Sequence, residues 1–218
     1  MKTRIRLLLV TGLTICAALG AMPGTAHAQI FVANLNNTIG EYTTLGATVN
    51  VSLVSGLSTP YDLAVSGGDL FVVNFAGGTT GSGTIGEYTT NGVTVNASLV
   101  SGLSSAVGLA VSGGDIFVAN QGSNTICEYT TNGVTINTSL VSGLNAPLGV
   151  VVSGGHLFVA NFFGNSIGEY TTNGVTVNAS LVTGLGVPVG IAVVPEPTTL
   201  ALAAFGGLSL FWFRRRRS

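Results

Sequence analysis

The middle of the chain alternates between short apolar runs and polar breaks centred on glycine. Four kinds of run recur, exemplified by GLAVS, IFVAN, IGEYT and VTVNASLV, all rich in the β-branched and aromatic residues that suit strands. An SGGD or SGGH break joins the first run to the second. Asn91-Gly92, Asn132-Gly133 and Asn173-Gly174 join the third to the fourth, and Asn-Gly accepts the positive φ of a two-residue hairpin. In the fourth run Val93, Val95, Ala97 and Leu99 alternate with Thr94, Asn96 and Ser98, which predicts a strand with one apolar face. Four antiparallel strands per unit describe a blade.

The unit occurs four times. Its third run begins at Ile39, Ile85, Ile126 and Ile167, at spacings of 46, 41 and 41, the period of propeller blades or of a solenoid. The repeat region opens at a second run, 30–34, and closes on a lone first run, 190–194. That last run is expected to complete the first blade, so the fold expected is an all-β propeller of four four-stranded blades without free edges. An open β-solenoid, or half of a larger propeller such as an eight-bladed dimer, is the alternative.

Both ends depart from the repeat. Residues 1–28 carry Lys2, Arg4 and Arg6, then an apolar stretch, then Ala26-His27-Ala28, the layout of a secretory signal helix cut after Ala28. Cys16 lacks the small residue before it that a lipoprotein signal needs, since Ile15 stands there. Residues 195–218 open with Pro195, Glu196 and Pro197, continue through an apolar run at 198–213 and finish on Arg214, Arg215, Arg216 and Arg217. The apolar run is expected to be a transmembrane helix, slightly shorter than the ~20 residues that usually span a bilayer. By the positive-inside rule the arginines sit in the cytoplasm and the repeats outside.

Charge narrows the chemistry. The chain is 46% hydrophobic and only 7% charged, and all seven basic residues lie in the two end segments. Residues 29–194 contain no lysine or arginine and carry seven acids, Glu41, Asp62, Asp69, Glu87, Asp115, Glu128 and Glu169. Nucleic acid is thereby excluded as a partner, because phosphates are bound through Lys and Arg. Phosphoryl transfer and Schiff-base chemistry lose their usual cations as well.

The order Pro-Glu-Pro, apolar helix, arginine cluster resembles the PEP-CTERM sorting signal of Gram-negative bacteria that make exopolysaccharide. That resemblance implies an exosortase that recognises Pro195, Glu196 and Pro197, and signal peptidase acting at Ala26 and Ala28. It implies an inner-membrane-anchored intermediate, held by its helix until processed, and then a place on the cell surface or in the matrix. The pattern GLAVSGGDIFVANQGSNTI resembles NHL and related propeller repeats, which usually come in larger numbers and carry charged residues missing here.

Few side chains offer a site. The four glutamates Glu41, Glu87, Glu128 and Glu169 share one repeat position, but on third strands they stand too far apart to share calcium. Asp62 takes a place where the other repeats have Gly108, Gly149 and Gly190, and is the one acid expected near the axis. It is the sole candidate metal ligand, weighed against an Asp that merely caps a turn. His156 replaces Asp69 and Asp115 in a turn, as surface decoration. Cys127 replaces Gly40, Gly86 and Gly168 and has no partner histidine. The insertion at 75–84 lacks the pattern of a phosphate loop. Asn50, Asn96, Asn137 and Asn178 head Asn-x-Ser sequences, read as strand alternation. The function expected is that of a non-catalytic, cofactor-free binding or structural module, with polysaccharide or surface proteins as partners. The alternative is a lactonase- or lyase-type enzyme using an axial metal.

Overall fold

The computed structural model describes residues 28–78 and 80–194. Fifteen strands form four antiparallel sheets in chain order. The first blade has β1 (Gln29–Asn34), β2 (Thr38–Thr43) and β3 (Thr48–Ser55). The second has β4 (Pro60–Ser66), β5 (Asp69–Asn74), β6 (Thr80–Thr89) and β7 (Thr94–Ser104). The third has β8 (Ala106–Ser112), β9 (Asp115–Asn120), β10 (Thr125–Thr130) and β11 (Thr135–Val141). The fourth has β12 (Pro147–Ser153), β13 (His156–Asn161), β14 (Ser166–Thr171) and β15 (Thr176–Val182).

The core lies between blades, not within them. Each second strand is apolar on both faces, so one face packs on the blade before and the other on the blade after. Ile39 and Val54 of the first blade meet Leu70, Val72 and Tyr88 of the second. Phe71, Val73, Ile85 and Val100 meet Ile116, Val118 and Tyr129 of the third. Phe117, Ala119, Ile126 and Val141 meet Leu157, Val159 and Tyr170 of the fourth. Among the described residues three clusters thus serve three junctions.

The connections between blades are held by two sets of asparagines, one buried and one exposed. Asn74, Asn120 and Asn161 close the second strands and accept N–H bonds from Ser58, Ser104 and Asn145 in the preceding linker, at 3.3, 2.7 and 3.3 Å. Asn37, Asn124 and Asn165 accept from Thr59, Ala146 and Val187, three linker residues held at positive φ. These bonds offset the strain of a left-handed non-glycine residue.

Three expectations change. The run 190–194 forms no ladder, and the first sheet has three strands, so the last strand does not close the ring within the chain. No strand of the fourth blade pairs with the first, and the all-β propeller fold is realised as an open arc of blades. The Asn-Gly hairpins are three-residue loops: Gly92 N–H bonds Thr89 C=O and Thr89 N–H bonds Val93 C=O, with only Gly92 at positive φ. The two-residue geometry belongs instead to Gly113-Gly114 and Gly154-Gly155, where both residues have positive φ. The alternation of the fourth run does not become one buried face, because residues 93–98 are all exposed at the blade rim. Bulges between β6 and β7 shift the register there, and Asn96 Oδ1 accepts the Ser98 N–H at 3.1 Å. The signal helix, all the sorting residues and the apolar run 198–213 lie outside the described residues.

Candidate functional site

The first strands β4, β8 and β12 line the axial side of the arc. Each has a register irregularity near its start, at Pro60/Asp62, Ala106/Gly108 and Pro147/Val150. There the next blade's backbone comes close: a Cβ on Gly108 would lie 1.9 Å from the Leu148 carbonyl oxygen. Only glycine fits such an approach.

Asp62 uses the corresponding place differently. Its Oδ1 accepts the Leu63 N–H and its Oδ2 accepts the Leu109 N–H, each at 2.9 Å. The carboxylate therefore staples β4 to β8 and does not cap a turn. Burial raises its pKa above the usual carboxylate value, and the two amide bonds only partly oppose this.

A cleft of about 300 Å³ runs over these strands, lined among others by Tyr61, Asp62, Gly108, Leu148 and Gly190. Tyr61 is half exposed, and its ring lies 4.9 Å from that of Phe75. Sequence reasoning passed over Tyr61, though a signal was present: it is the one tyrosine of five outside the Glu-Tyr-Thr repeat.

The remaining candidates stand apart from the cleft. Each third-strand glutamate faces the residue that opens the neighbouring second strand. Gln29 Nε2 donates to Glu41 Oε1, and His156 Nδ1 lies 2.8 Å from Glu169 Oε1. In the two middle blades the facing residue is another acid. Burial, then the Asp69 charge, raises the Glu87 pKa, and burial, then Asp115, raises that of Glu128. Cys127 is buried, and its Sγ donates to the Thr138 carbonyl at 3.1 Å.

Both Asp62 oxygens are engaged by backbone amides, and no group of three or more His, Cys, Asp or Glu gathers among the described residues.

Residues 193–217 match the model of the PEP-CTERM protein-sorting motif. The chain carries an exosortase sorting tail. A search of curated protein sequences finds no match. Solved structures resemble the repeat region. A nidogen/laminin complex aligns at TM-score 0.63 and 16% identity over 74% of this chain and 62% of that one. Virginiamycin B lyase from Staphylococcus aureus aligns at TM-score 0.61 and 20% identity over 78% and 57%. A gluconolactonase from Xanthomonas campestris aligns at TM-score 0.62 and 15% identity over 75% and 61%. The chain thus spans about three fifths of the length of these structures. At such identities the likeness concerns the fold alone. It nonetheless corrects the expectation of a non-enzyme, because a lyase and a lactonase share the arrangement of blades. No helix among the described residues is long and apolar enough to cross a membrane, and the tail lies beyond them.

Proposed function

We infer that the sorting tail marks an exported protein delivered to the cell envelope. We propose that its propeller arc binds a neutral polar ligand in the axial cleft, a polysaccharide of the matrix or a fragment of one. The observation that carries this reading is the pairing of exposed Tyr61 with Asp62 in the cleft. An aromatic face suits the C–H face of a sugar ring, and each Asp62 oxygen keeps a second lone pair for a hydroxyl. The absence of lysine and arginine from 29–213 disfavours anionic ligands.

Titration of the full-length protein, purified in mild detergent, with neutral gluco- and galacto-oligosaccharides tests this. Saturable binding that Tyr61→Ala weakens about tenfold is expected, a loss in the range of an aromatic contact. Absence of binding across the panel contradicts it.

A second reading rests on the raised pKa of Asp62. A carboxyl that keeps its proton to higher pH suits general-acid chemistry of the lyase or lactonase kind. Product release from the same oligosaccharides or from simple lactones, abolished by Asp62→Asn, would favour it.

Pro195, Glu196 and Pro197 are assigned to exosortase recognition, Ala26 and Ala28 to signal cleavage, and Arg214 to Arg217 to retention on the cytoplasmic side. Replacing the three motif residues together by alanine is expected to leave an unprocessed inner-membrane form. Normal processing of that variant would refute the assignment.

A further inference from the structure

The two ends of the arc carry apolar positions that are buried at every junction within the chain. Within the chain, every junction joins the trailing face of one blade to the leading face of the next, and the residues repeat. Trailing-face Val54, Val100 and Val141 are 4%, 6% and 4% exposed, but Val182 at the open end is 43% exposed. Leading-face Leu70, Ile116 and Leu157 are fully buried, whereas their counterpart Ile30 is 44% exposed. Val72, Val118 and Val159 are likewise fully buried, and Val32 is 37% exposed. The apolar set that ends the fourth blade is thus the set against which a first-blade face packs elsewhere in the molecule.

The polar connections match too. Asn34 stands where Asn74, Asn120 and Asn161 accept a linker N–H, and its counterpart donor is Gly186, at the far end of the arc. The first blade lacks its first strand, while 190–194 is a first strand without a sheet. That run already sits beside β12 as β12 sits beside β8: a Cβ on Gly149 would lie 2.6 Å from the Val189 carbonyl oxygen.

We propose that a second copy of this chain completes the ring. Run 190–194 of each copy becomes the fourth strand of the other copy's first blade, with Ile191 opposite Val32 as Leu63 is opposite Val72. Two head-to-tail junctions then close eight blades, within the usual range of four to eight, where three copies would exceed it. Closure also encloses the axial cleft, since Gly190 already lines it.

Native mass measurement of the full chain in mild detergent, over a dilution series, is expected to give two chains per particle. A folded single chain, or an unlimited ladder of chains, overturns the ring. Two differently tagged copies, one Val32→Cys and one Ile191→Cys, are then coexpressed and treated with a short bifunctional thiol reagent. Cys16 is replaced by serine in both copies and native Cys127 is buried, so a cross-link carrying both tags is expected through the introduced thiols alone. A dimer without this cross-link overturns the head-to-tail pairing. In the doubly substituted chain, diluted with unsubstituted protein, a cross-link within one chain would show closure in cis and overturn the proposal. If either substitution prevents folding, the native mass of the unsubstituted protein decides.

Discussion

Asp62 shows how one residue can depart from a repeat and redefine a surface. Its folded-state pKa is raised, so the native state binds the proton more tightly than the unfolded chain does. The stabilisation from that proton is complete below the unfolded value near 3.8 and is lost as pH rises through the folded pKa. Glu87 and Glu128 are partly buried and shift in the same direction, so they add to the same dependence. The melting temperature is expected to fall between pH 4 and pH 7, and Asp62→Asn should flatten that slope. An unchanged slope in the variant would remove Asp62 from the account. Crowding gives a second test. At Gly86 an added Cβ would lie 2.6 Å from the Tyr88 hydroxyl, so Gly86→Cys is expected to cost about 1–3 kcal/mol, read as a lower melting temperature. At the equivalent place Cys127 contacts Tyr129, and its sulfur also donates to the Thr138 carbonyl. The importance of Asp62 was legible because its repeat counterparts are glycines. Its two amide partners were not, because one of them belongs to another blade.

At the scale of strands and turns, the runs themselves were readable, since β-branched residues and glycine breaks mark them in every unit. Turn geometry was harder to read, because glycine in Asn-Gly and in Gly-Gly looks alike until the number of loop residues between ladder bonds is known. The two loops also differ in what surrounds them. A Cβ on Gly133 would lie 2.6 Å from the Leu99 carbonyl oxygen of the preceding blade, and the residue has φ of 80°. Gly113 has φ of 64° with nothing within 4 Å. Gly133→Ala is therefore expected to destabilise by more than the ~1 kcal/mol of a simple glycine replacement. Gly113→Asn should change little, since asparagine tolerates the left-handed region. Thermal unfolding of the two variants side by side checks this, and equal losses would mean that the Gly133 loop does not press on its neighbour. The rim strands were misread for a related reason: alternation predicts a buried face only where something covers it, and nothing covers residues 93–98.

For the whole molecule, the count of four blades followed from the repeat, but closure did not. Ring closure depends on the rotation between blades, which is fixed by how Leu70, Ile116 and Leu157 seat against the preceding blade, and no single unit encodes that angle. The exposure of Ile30, Val32 and Val182 is the visible result. The central claim is that one chain is an open arc whose ends do not meet. Spin labels on Leu35→Cys and Val187→Cys of one chain, diluted with unlabelled protein, measure that separation directly. Both positions are exposed, and in every internal junction their counterparts are hydrogen-bonded neighbours, as Phe75 N–H is to the Thr59 carbonyl at 3.0 Å. An open arc predicts an intrachain separation many times the ~5 Å between paired strands. Labels in mutual contact within one chain would show a closed four-bladed ring and contradict the account.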